Sequence, residues 1–182
     1  MIQLEGTAKR SFLFPSRIYE SMEHYAEMEG LFKYLPHITL TKVYSPTQFR
    51  VLFSSTELSL YKIQLYCDLE VTIDTENAII TVGMLYGKKS VKLKAGMHSS
   101  RGMAAFISTS QFKSDGENTR IYYHLSINGE LPKPLAFSLV PDNITNHIAE
   151  SITKRRIFEI ADGFIIGSLA EFESKKMSSP SR

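Results

Sequence analysis

The chain has 182 residues, of which 43% are hydrophobic and 22% charged, and a formal net charge of +2. These values are typical of one globular domain with a hydrophobic core, and so small a charge predicts no nucleic-acid partner. Cys67 is the only cysteine, and the five histidines have no paired spacing. An internal disulfide and a thiolate metal cluster are therefore excluded, and we expect neither a metal site nor a cofactor.

The N-terminus has no basic segment followed by an apolar run, and no stretch reaches the ~18 apolar residues of a membrane span. A single cysteine also fits a reducing compartment. We therefore expect a protein without a secretory signal that is located in the cytoplasm.

The first predicted elements are a short strand and an amphipathic helix. Residues 11–14 are apolar and predict the strand, and the proline and serine that follow favour a helix start. Ile18, Met22 and Tyr25 then recur with helical spacing, with glutamates on the opposite face. Residues 31–35 predict a second short helix.

Seven or eight strand segments follow in the middle of the chain. The clearest alternation places Leu69, Val71 and Ile73 on one face of a strand and acidic or threonine side chains on the other. Turn sequences separate the segments, as in Asp74-Thr75-Glu76-Asn77. Short neighbouring strands joined by turns favour an antiparallel meander.

The longest helical pattern begins at Pro141-Asp142 and ends near Ser174. It carries two apolar stripes that are out of phase, one formed by Ile144, Ile148 and Ile152 and the other by Ile157, Phe158, Ala161, Ile165, Leu169 and Phe172. We therefore predict a kink or two consecutive helices, with the break between 153 and 156. We expect residues 1–174 to form one domain and 175–182 to be a disordered polar tail.

Gly163 and Gly167 lie inside this helical pattern. Each helical glycine costs roughly 0.5–1 kcal/mol relative to alanine, so the pair needs a structural reason. The helix either approaches the sheet closely at these positions or leaves room there for a bound molecule.

A basic stretch lies in the second half of the strand region. No Asp or Glu occurs between Asn77 and Ser114, whereas a predicted hairpin in this region carries Lys88, Lys89, Lys92 and Lys94. These lysines could bind an anionic membrane surface or an acidic protein. Alternatively, they form a solvated strand edge that discourages pairing between sheets.

Three segments carry a resemblance to a known superfamily: Phe14-Pro15-Ser16-Arg17-Ile18-Tyr19, Pro36-His37-Ile38, and the exit Gly129–Pro134 that leads into the last helix. Their order resembles the START/Bet v 1-like (SRPBCC) helix-grip proteins. The chain is similar in particular to an uncharacterised branch of cyanobacteria and plastids, for which the stroma would be the equivalent compartment.

The resemblance implies an α+β fold in which a curved antiparallel β-sheet is wrapped around a long C-terminal α-helix, with a small N-terminal helical insertion. It also implies a hydrophobic pocket between sheet and helix. Members of the superfamily bind lipids, sterols, polyketides and other apolar ligands, and some are enzymes.

The leading hypothesis is a non-enzymatic binding or carrier protein for an apolar or amphipathic small molecule, such as a lipid or pigment. Tyr123 could orient the ligand, or it could form a hydrogen bond within the core. The candidate lining residues are Phe49, Val51, Phe53, Leu69, Val71, Ile73, Phe106, Tyr123, Leu125, Phe158 and Ile165.

Two other functions are open. An adaptor or assembly factor would fill its interior with its own side chains and act through Lys88, Lys89, Lys92 and Lys94. A cyclase or hydrolase would use pocket residues such as Tyr123 and His124, although no arrangement of nucleophile and base is visible in the sequence.

Overall fold

The computed structural model describes residues 1–178, in which a curved eight-stranded sheet encloses a long C-terminal helix. The strands are β1 (Ile2–Phe14), β2 (Ile38–Ser45), β3 (Gln48–Glu57), β4 (Tyr61–Asp74), β5 (Ile79–Met84), β6 (Lys94–Ala95), β7 (Ser99–Asp115) and β8 (Asn118–Leu131). The helices are α1 (Ile18–Ala26), α2 (Met28–Leu31) and α3 (Asp142–Ser178), with 3-10 turns at Phe32–Tyr34 and Leu135–Phe137. This arrangement confirms the predicted fold class.

The strand order is β1-β8-β7-β5-β4-β3-β2, with β6 paired to β7. From β2 to β8 this order is the predicted meander of antiparallel neighbours, and β1 is added at the far edge beside β8. Beyond the end of β5, residues 62–66 of β4 pair directly with residues 99–103 of β7, in parallel. The sheet is therefore continuous from edge to edge, and α3 packs on its inner face.

Strand β1 begins at Ile2, nine residues earlier than predicted. Its inward positions alternate regularly, but two of them are Gly6 and Ala8, which carry little or no apolar side chain. A Cβ added at Gly6 would lie 3.1 Å from Thr153 Cγ2 and 3.4 Å from Ile157 Cγ2. The small residues allow α3 to lie against β1, and the same small size hides the strand from a search for apolar alternation.

Helix α3 is helical without a break from Asp142 to Ser178, so the prediction of two consecutive helices is wrong. Its buried residues form a single stripe with spacings of three and four: Thr145, Ala149, Thr153, Ile157, Ile160, Ala161, Phe164 and Ser168. The prediction followed the large isoleucines, but Ile144 and Ile148 are exposed and smaller residues face the sheet instead. The helix also includes 175–178 of the predicted tail, and residues 179–182 lie outside the described part of the chain.

The two glycines of α3 are explained by close approach to the segment between α2 and β2. A Cβ added at Gly163 would lie 2.7 Å from Pro36 Cδ, and one added at Gly167 would lie 2.6 Å from Tyr34 Cβ. The partner is therefore the segment that follows the N-terminal helices, and not the sheet. Neither glycine leaves room there for a bound molecule.

The predicted basic hairpin is wrong. Residues 85–93 form an irregular segment, and only Lys94 and Ala95 pair with β7. The segment is held on the outer face of the sheet, where Arg50 Nη2 donates a hydrogen bond to the Lys89 carbonyl oxygen at 2.7 Å. Arg50 also forms a salt bridge of 2.7 Å with the buried Asp68 carboxylate.

Candidate functional site: an apolar hollow between the sheet and α3

Two adjoining cavities lie between the sheet and the first half of α3, with volumes of about 30 and 40 Å³. We call them together the hollow. The first is lined by Leu4, Phe53, Ile63, Leu65, Phe106, Ile127, Ile152, Thr153, Arg156, Ile157 and Ile160. The second is lined by Ile2, Leu4, Leu58, Tyr61, Ile63, Leu131, Phe137, Thr145, Ile148, Ala149 and Ile152.

The hollow forms because the helix presents small side chains to an aliphatic part of the sheet. Thr145, Ala149 and Thr153 occupy the three successive inward positions at the start of α3. Opposite them stand longer aliphatic side chains, including Ile63 and Leu65 on β4. A volume of 30–40 Å³ exceeds the ~10–15 Å³ that one water needs, but it holds only a few atoms.

A group of charged side chains, which we call the charged corner, adjoins the hollow at Arg156. The Glu57 carboxylate, with only 1% of its side chain exposed, accepts hydrogen bonds from Arg156 Nε at 2.7 Å and from Arg155 Nη2 at 2.8 Å. Arg156 also donates to Glu159 Oε2 at 2.6 Å, and His37 Nε2 lies 3.2 Å from the same oxygen. Arg156 therefore connects the lining of the hollow to a group of charged residues.

These contacts keep the two glutamates ionised. Burial raises the pKa of Glu57, but the hydrogen bonds and charges of Arg156 and Arg155 outweigh it, so the pKa lies below its ordinary value. The pKa of Glu159 is lowered in the same way, because the contacts with Arg156 and His37 outweigh its partial burial. At neutral pH the corner therefore contains paired charges and no carboxylic acid able to donate a proton.

The second half of α3 packs against a filled interior. We call its rings the aromatic cluster: Phe14, His24, Tyr25, Phe112, Tyr123, Phe164 and Phe172. Hydrogen bonds fasten the cluster to the helix, since Tyr25 Oη lies 2.7 Å from Ser168 Oγ and His24 Nε2 lies 3.2 Å from the Ser168 carbonyl oxygen. No cavity of the hollow extends to these residues.

Most of the predicted lining residues point into the interior, but few of them border the hollow. Phe53 and Phe106 line it directly. Ile165 is half-buried at the edge of the core. The others are buried in the filled part of the interior: Phe49, Val51, Leu69, Val71, Tyr123 and Leu125.

The expectation that Ile73 and Phe158 face the interior is wrong. Ile73 shares the inner face of β4, but it is 44% exposed because it lies near the strand end, beside α1. Phe158 is 42% exposed because it follows Ile157 in the helix and so lies beside the buried stripe, at the β1 edge of the sheet. Its ring instead packs under the Arg10 guanidinium, 4.8 Å from the ring centroid.

Tyr123 and His124 cannot act together in one interior site, because they are consecutive on β8 and point to opposite faces. Tyr123 is buried and its ring stacks on Phe164 at 5.3 Å, whereas His124 is exposed on the outer face. Burial raises the pKa of Tyr123, so its hydroxyl stays protonated. Burial also raises the pKa of the Cys67 thiol to about 12, so this cysteine is no thiolate nucleophile at neutral pH.

Sequence reasoning missed most of the aliphatic lining. Ile63 and Leu65 belong to the first half of β4, where Tyr61, Ile63, Leu65 and Cys67 alternate with polar or half-buried residues. This alternation was a usable signal, but the strand was predicted only from residue 68. Arg156 carried no signal, because its partner Glu57 is 99 positions away.

The four candidate surface lysines lie on and beside the irregular segment 85–93. Lys89, Lys92 and Lys94 are exposed, and Lys88 is half-buried with Nζ 4.6 Å from the ring centroid of Tyr44. Among residues 1–178, no three His, Cys, Asp or Glu side chains come together as a metal site. In the same range no helix is both long and apolar enough to cross a membrane.

Comparison with solved structures finds proteins of the same fold. A conserved protein from Geobacillus kaustophilus is 12% identical with a TM-score of 0.55, and the match covers 94% of this chain and 96% of that one. Norcoclaurine synthase from Thalictrum flavum, in complex with dopamine and hydroxybenzaldehyde, is 10% identical with a TM-score of 0.51, over 98% and 91%. The Zhui aromatase/cyclase of a Streptomyces species is 9% identical with a TM-score of 0.50, over 90% and 93%.

The chain therefore shares its fold with these proteins, and the helix-grip fold that the resemblance in the sequence implies is confirmed. No protein-family model and no curated protein matches the sequence. At 9–12% identity these neighbours show the fold and carry no residue roles to this chain. Membership of the cyanobacterial and plastid branch stays a prediction.

Proposed function

We propose that this chain binds an apolar or amphipathic small molecule, such as a lipid or pigment, between the sheet and the first half of α3. The observation that carries the proposal is the hollow, an apolar space that begins where the first three inward positions of α3 are the small residues Thr145, Ala149 and Thr153. Apolar pockets with a few polar groups are the usual form of small-molecule sites. Arg156 is the charged side chain in the lining and would face the polar end of an amphipathic ligand.

The volume of the hollow sets a condition on binding. A ligand larger than a few atoms requires the first half of α3 to move away from the sheet, or side chains such as Ile152 to turn outward. The two halves of the helix are attached differently, since the aromatic cluster fastens only the second half and the charged corner holds the first at Arg155 and Arg156. The proposal is supported by norcoclaurine synthase, a protein of the same fold whose structure contains dopamine and hydroxybenzaldehyde.

The test is a titration with N-phenyl-1-naphthylamine, a neutral apolar fluorophore. Ala149→Leu adds a branched side chain inside the hollow, whereas Ala170→Leu makes the same change on the exposed side of the same helix. We expect the affinity to fall at least about tenfold for Ala149→Leu and to stay within about twofold for Ala170→Leu. Equal affinity in both variants, or no binding by the unmodified protein, would contradict the proposal.

The adaptor function is a second candidate, because most of the interior is filled and Lys89, Lys92 and Lys94 are exposed. In this case the irregular segment 85–93 would bind an acidic protein. Changing Lys88, Lys89, Lys92 and Lys94 to Glu should abolish capture of a partner in a pull-down. Unchanged capture would remove this candidate.

A further inference from the structure

Exposed apolar side chains gather where the second cavity opens to solvent. Leu58 and Ile148 line this cavity and are 65% and 36% exposed, so they mark its opening. Other exposed apolar residues lie on the adjacent loops. We call the whole set the collar: Leu58, Leu60, Met97, Leu135, Leu139 and Ile148.

Three loops and the start of α3 form the collar, and hydrogen bonds hold the loops together. The Leu135 and Ala136 N–H groups donate to the carbonyl oxygens of Gly96 and Met97 at 3.1 and 3.0 Å. The Lys62 N–H donates to the His98 carbonyl oxygen at 2.9 Å, which joins the β3–β4 turn to the same place. The collar is therefore a continuous feature of one end of the molecule.

The collar exposes apolar side chains to water, and one of its turns has a backbone conformation that is unusual for leucine and serine. Leu139 is 96% exposed. Leu58 and Ser59 are consecutive left-handed residues with φ of 50° and 58°, a conformation that favours Asn and Gly. Most of the Leu58 side chain is in contact with solvent although the turn favours other residues, so a contact outside the chain accounts for it.

The three loops of the collar carry charges of one sign. Residues 58–67, 93–103 and 131–141 contain no Asp or Glu, whereas they carry Lys62, Lys94, Arg101 and Lys133. Four acidic residues flank these loops and the start of α3, and each has a partner: Glu57 is buried against two arginines, Asp142 lies 2.9 Å from Lys133 Nζ, Glu150 lies 2.6 Å from Lys154 Nζ, and Glu130 accepts a hydrogen bond of 2.8 Å from Gln3 Nε2. Apolar tips flanked by lysines suit an anionic lipid surface, which accepts the apolar residues and attracts the cations.

We propose that the collar docks on an anionic lipid bilayer and that the opening beneath it is the entry for the ligand. The entry role rests on the proposed function, whereas docking itself can be measured on the empty protein. A second copy of the chain suits the collar less well, because a two-fold interface would place its lysines against each other. Docking requires no spanning helix, since only loop tips and the first turns of α3 reach the lipid.

Vesicle flotation tests the docking surface. We expect the unloaded protein to float with vesicles of phosphatidylcholine and phosphatidylglycerol at a 7:3 ratio, to bind pure phosphatidylcholine much more weakly, and to dissociate at high salt. The triple change Leu58→Ser, Leu135→Ser and Leu139→Ser should weaken binding about 100-fold. The control is Tyr19→Ser with Tyr86→Ser and Ile166→Ser, all exposed apolar residues outside the collar, and it should bind as the unmodified protein does.

The lysines are tested with a matched pair of charge reversals. At about 1 kcal/mol per lysine near an anionic surface, Lys62→Glu with Lys94→Glu should weaken binding at least about 30-fold. Lys9→Glu with Lys113→Glu makes the same change at exposed positions away from the collar and should have less than a threefold effect. Far-ultraviolet circular dichroism checks that each variant is folded.

The outcomes separate this proposal from the preceding one. Failure to float with anionic vesicles, or equal losses for the collar and control variants, would overturn docking whatever the fluorophore titration shows. Self-association that the serine variants abolish, without vesicle binding, would assign the collar to a second copy and also overturn it. Vesicle binding without fluorophore binding would support docking and contradict the proposed binding of a small molecule in the hollow.

Discussion

The two halves of the interior along α3 are built on different principles. Around the second half, seven rings pack together and Ser168 receives two hydrogen bonds from α1. Around the first half, three small residues face aliphatic side chains and leave the hollow. The comparison indicates that the second half anchors α3 and that the first half is the part able to bind a small molecule.

The largest contrast is expected for truncation of a leucine in each half. Leu125→Ala removes a fully buried side chain that borders no cavity and should lower the free energy of unfolding by about 4 kcal/mol. Leu4→Ala removes a buried side chain that borders both cavities and therefore makes fewer contacts. It should lower the free energy of unfolding by about 2 kcal/mol. Urea unfolding measures both, and equal losses would show that the two halves are packed alike.

The charged corner should contribute the next largest effect. Glu57→Ala leaves Arg156, whose side chain is 17% exposed, with Glu159 as its remaining carboxylate partner, and should lower the free energy of unfolding by about 3 kcal/mol. Glu117→Ala breaks the exposed Arg17–Glu117 pair and should cost less than about 0.5 kcal/mol. A small effect at Glu57 would mean that the corner does not hold the first half of α3.

The contact between α3 and the Tyr34–Pro36 segment should respond to a single methyl group. Gly167→Ala places a Cβ 2.6 Å from Tyr34 Cβ, so overpacking should exceed the gain in helix propensity and lower stability by about 1–2 kcal/mol. Gly30→Ala, with nothing within 4 Å of the added Cβ, should leave stability unchanged or raise it by up to about 1 kcal/mol. If both variants were equally stable, the glycines would need another explanation.

The smallest expected effect is a pH dependence carried by His24 in the aromatic cluster. Burial lowers its pKa from the ordinary 6.5, with a further lowering by Lys175 that Glu171, Glu27 and the Ser168 carbonyl oppose. As the pH falls, His24 therefore binds a proton in the unfolded chain at a higher pH than in the folded chain. The stability that neutral His24 contributes is complete above about pH 6.5 and declines below it.

The measurement is the free energy of unfolding between pH 7.5 and 5.5, a window above the titration of most carboxylates. We expect the decline toward low pH to be shallower in His24→Phe, which keeps the ring stacked on Phe14. His147→Phe, at an exposed position of α3, should preserve the decline. An identical slope in His24→Phe would show that this histidine is not kept neutral by the fold.

The halves also differ in how far the sequence predicts them. Alternation correctly assigns the inward face of β3, since Phe49, Val51 and Phe53 are all buried. Alternation does not show which part of the inner face borders the hollow, because the position of the hollow depends on Thr145, Ala149 and Thr153 far along the chain. The overall fold and an apolar pocket between sheet and helix were therefore predictable from the order of elements, whereas the position of the hollow beneath the first half of α3 was not.

Two errors have the same physical origin. The break in α3 was predicted because large isoleucines were taken as the packing stripe, and most of β1 was missed because Gly6 and Ala8 occupy inward positions. In both places small residues face inward so that the backbones can approach, and a search for large apolar side chains overlooks them. Ile73 and Phe158 illustrate the converse, since large apolar residues near a strand end or off the helix stripe remain exposed.

The most direct test of the binding hollow is a titration of isoleucine methyl groups by nuclear magnetic resonance, with N-phenyl-1-naphthylamine as the probe. Ile63, Ile152 and Ile157 line the hollow, whereas Ile80 and Ile121 are buried outside it. We predict saturable shifts in the first three methyl groups and no shifts in the other two. Shifts centred on Ile80 and Ile121, or no saturable shifts at all, would contradict a binding site beneath the first half of α3.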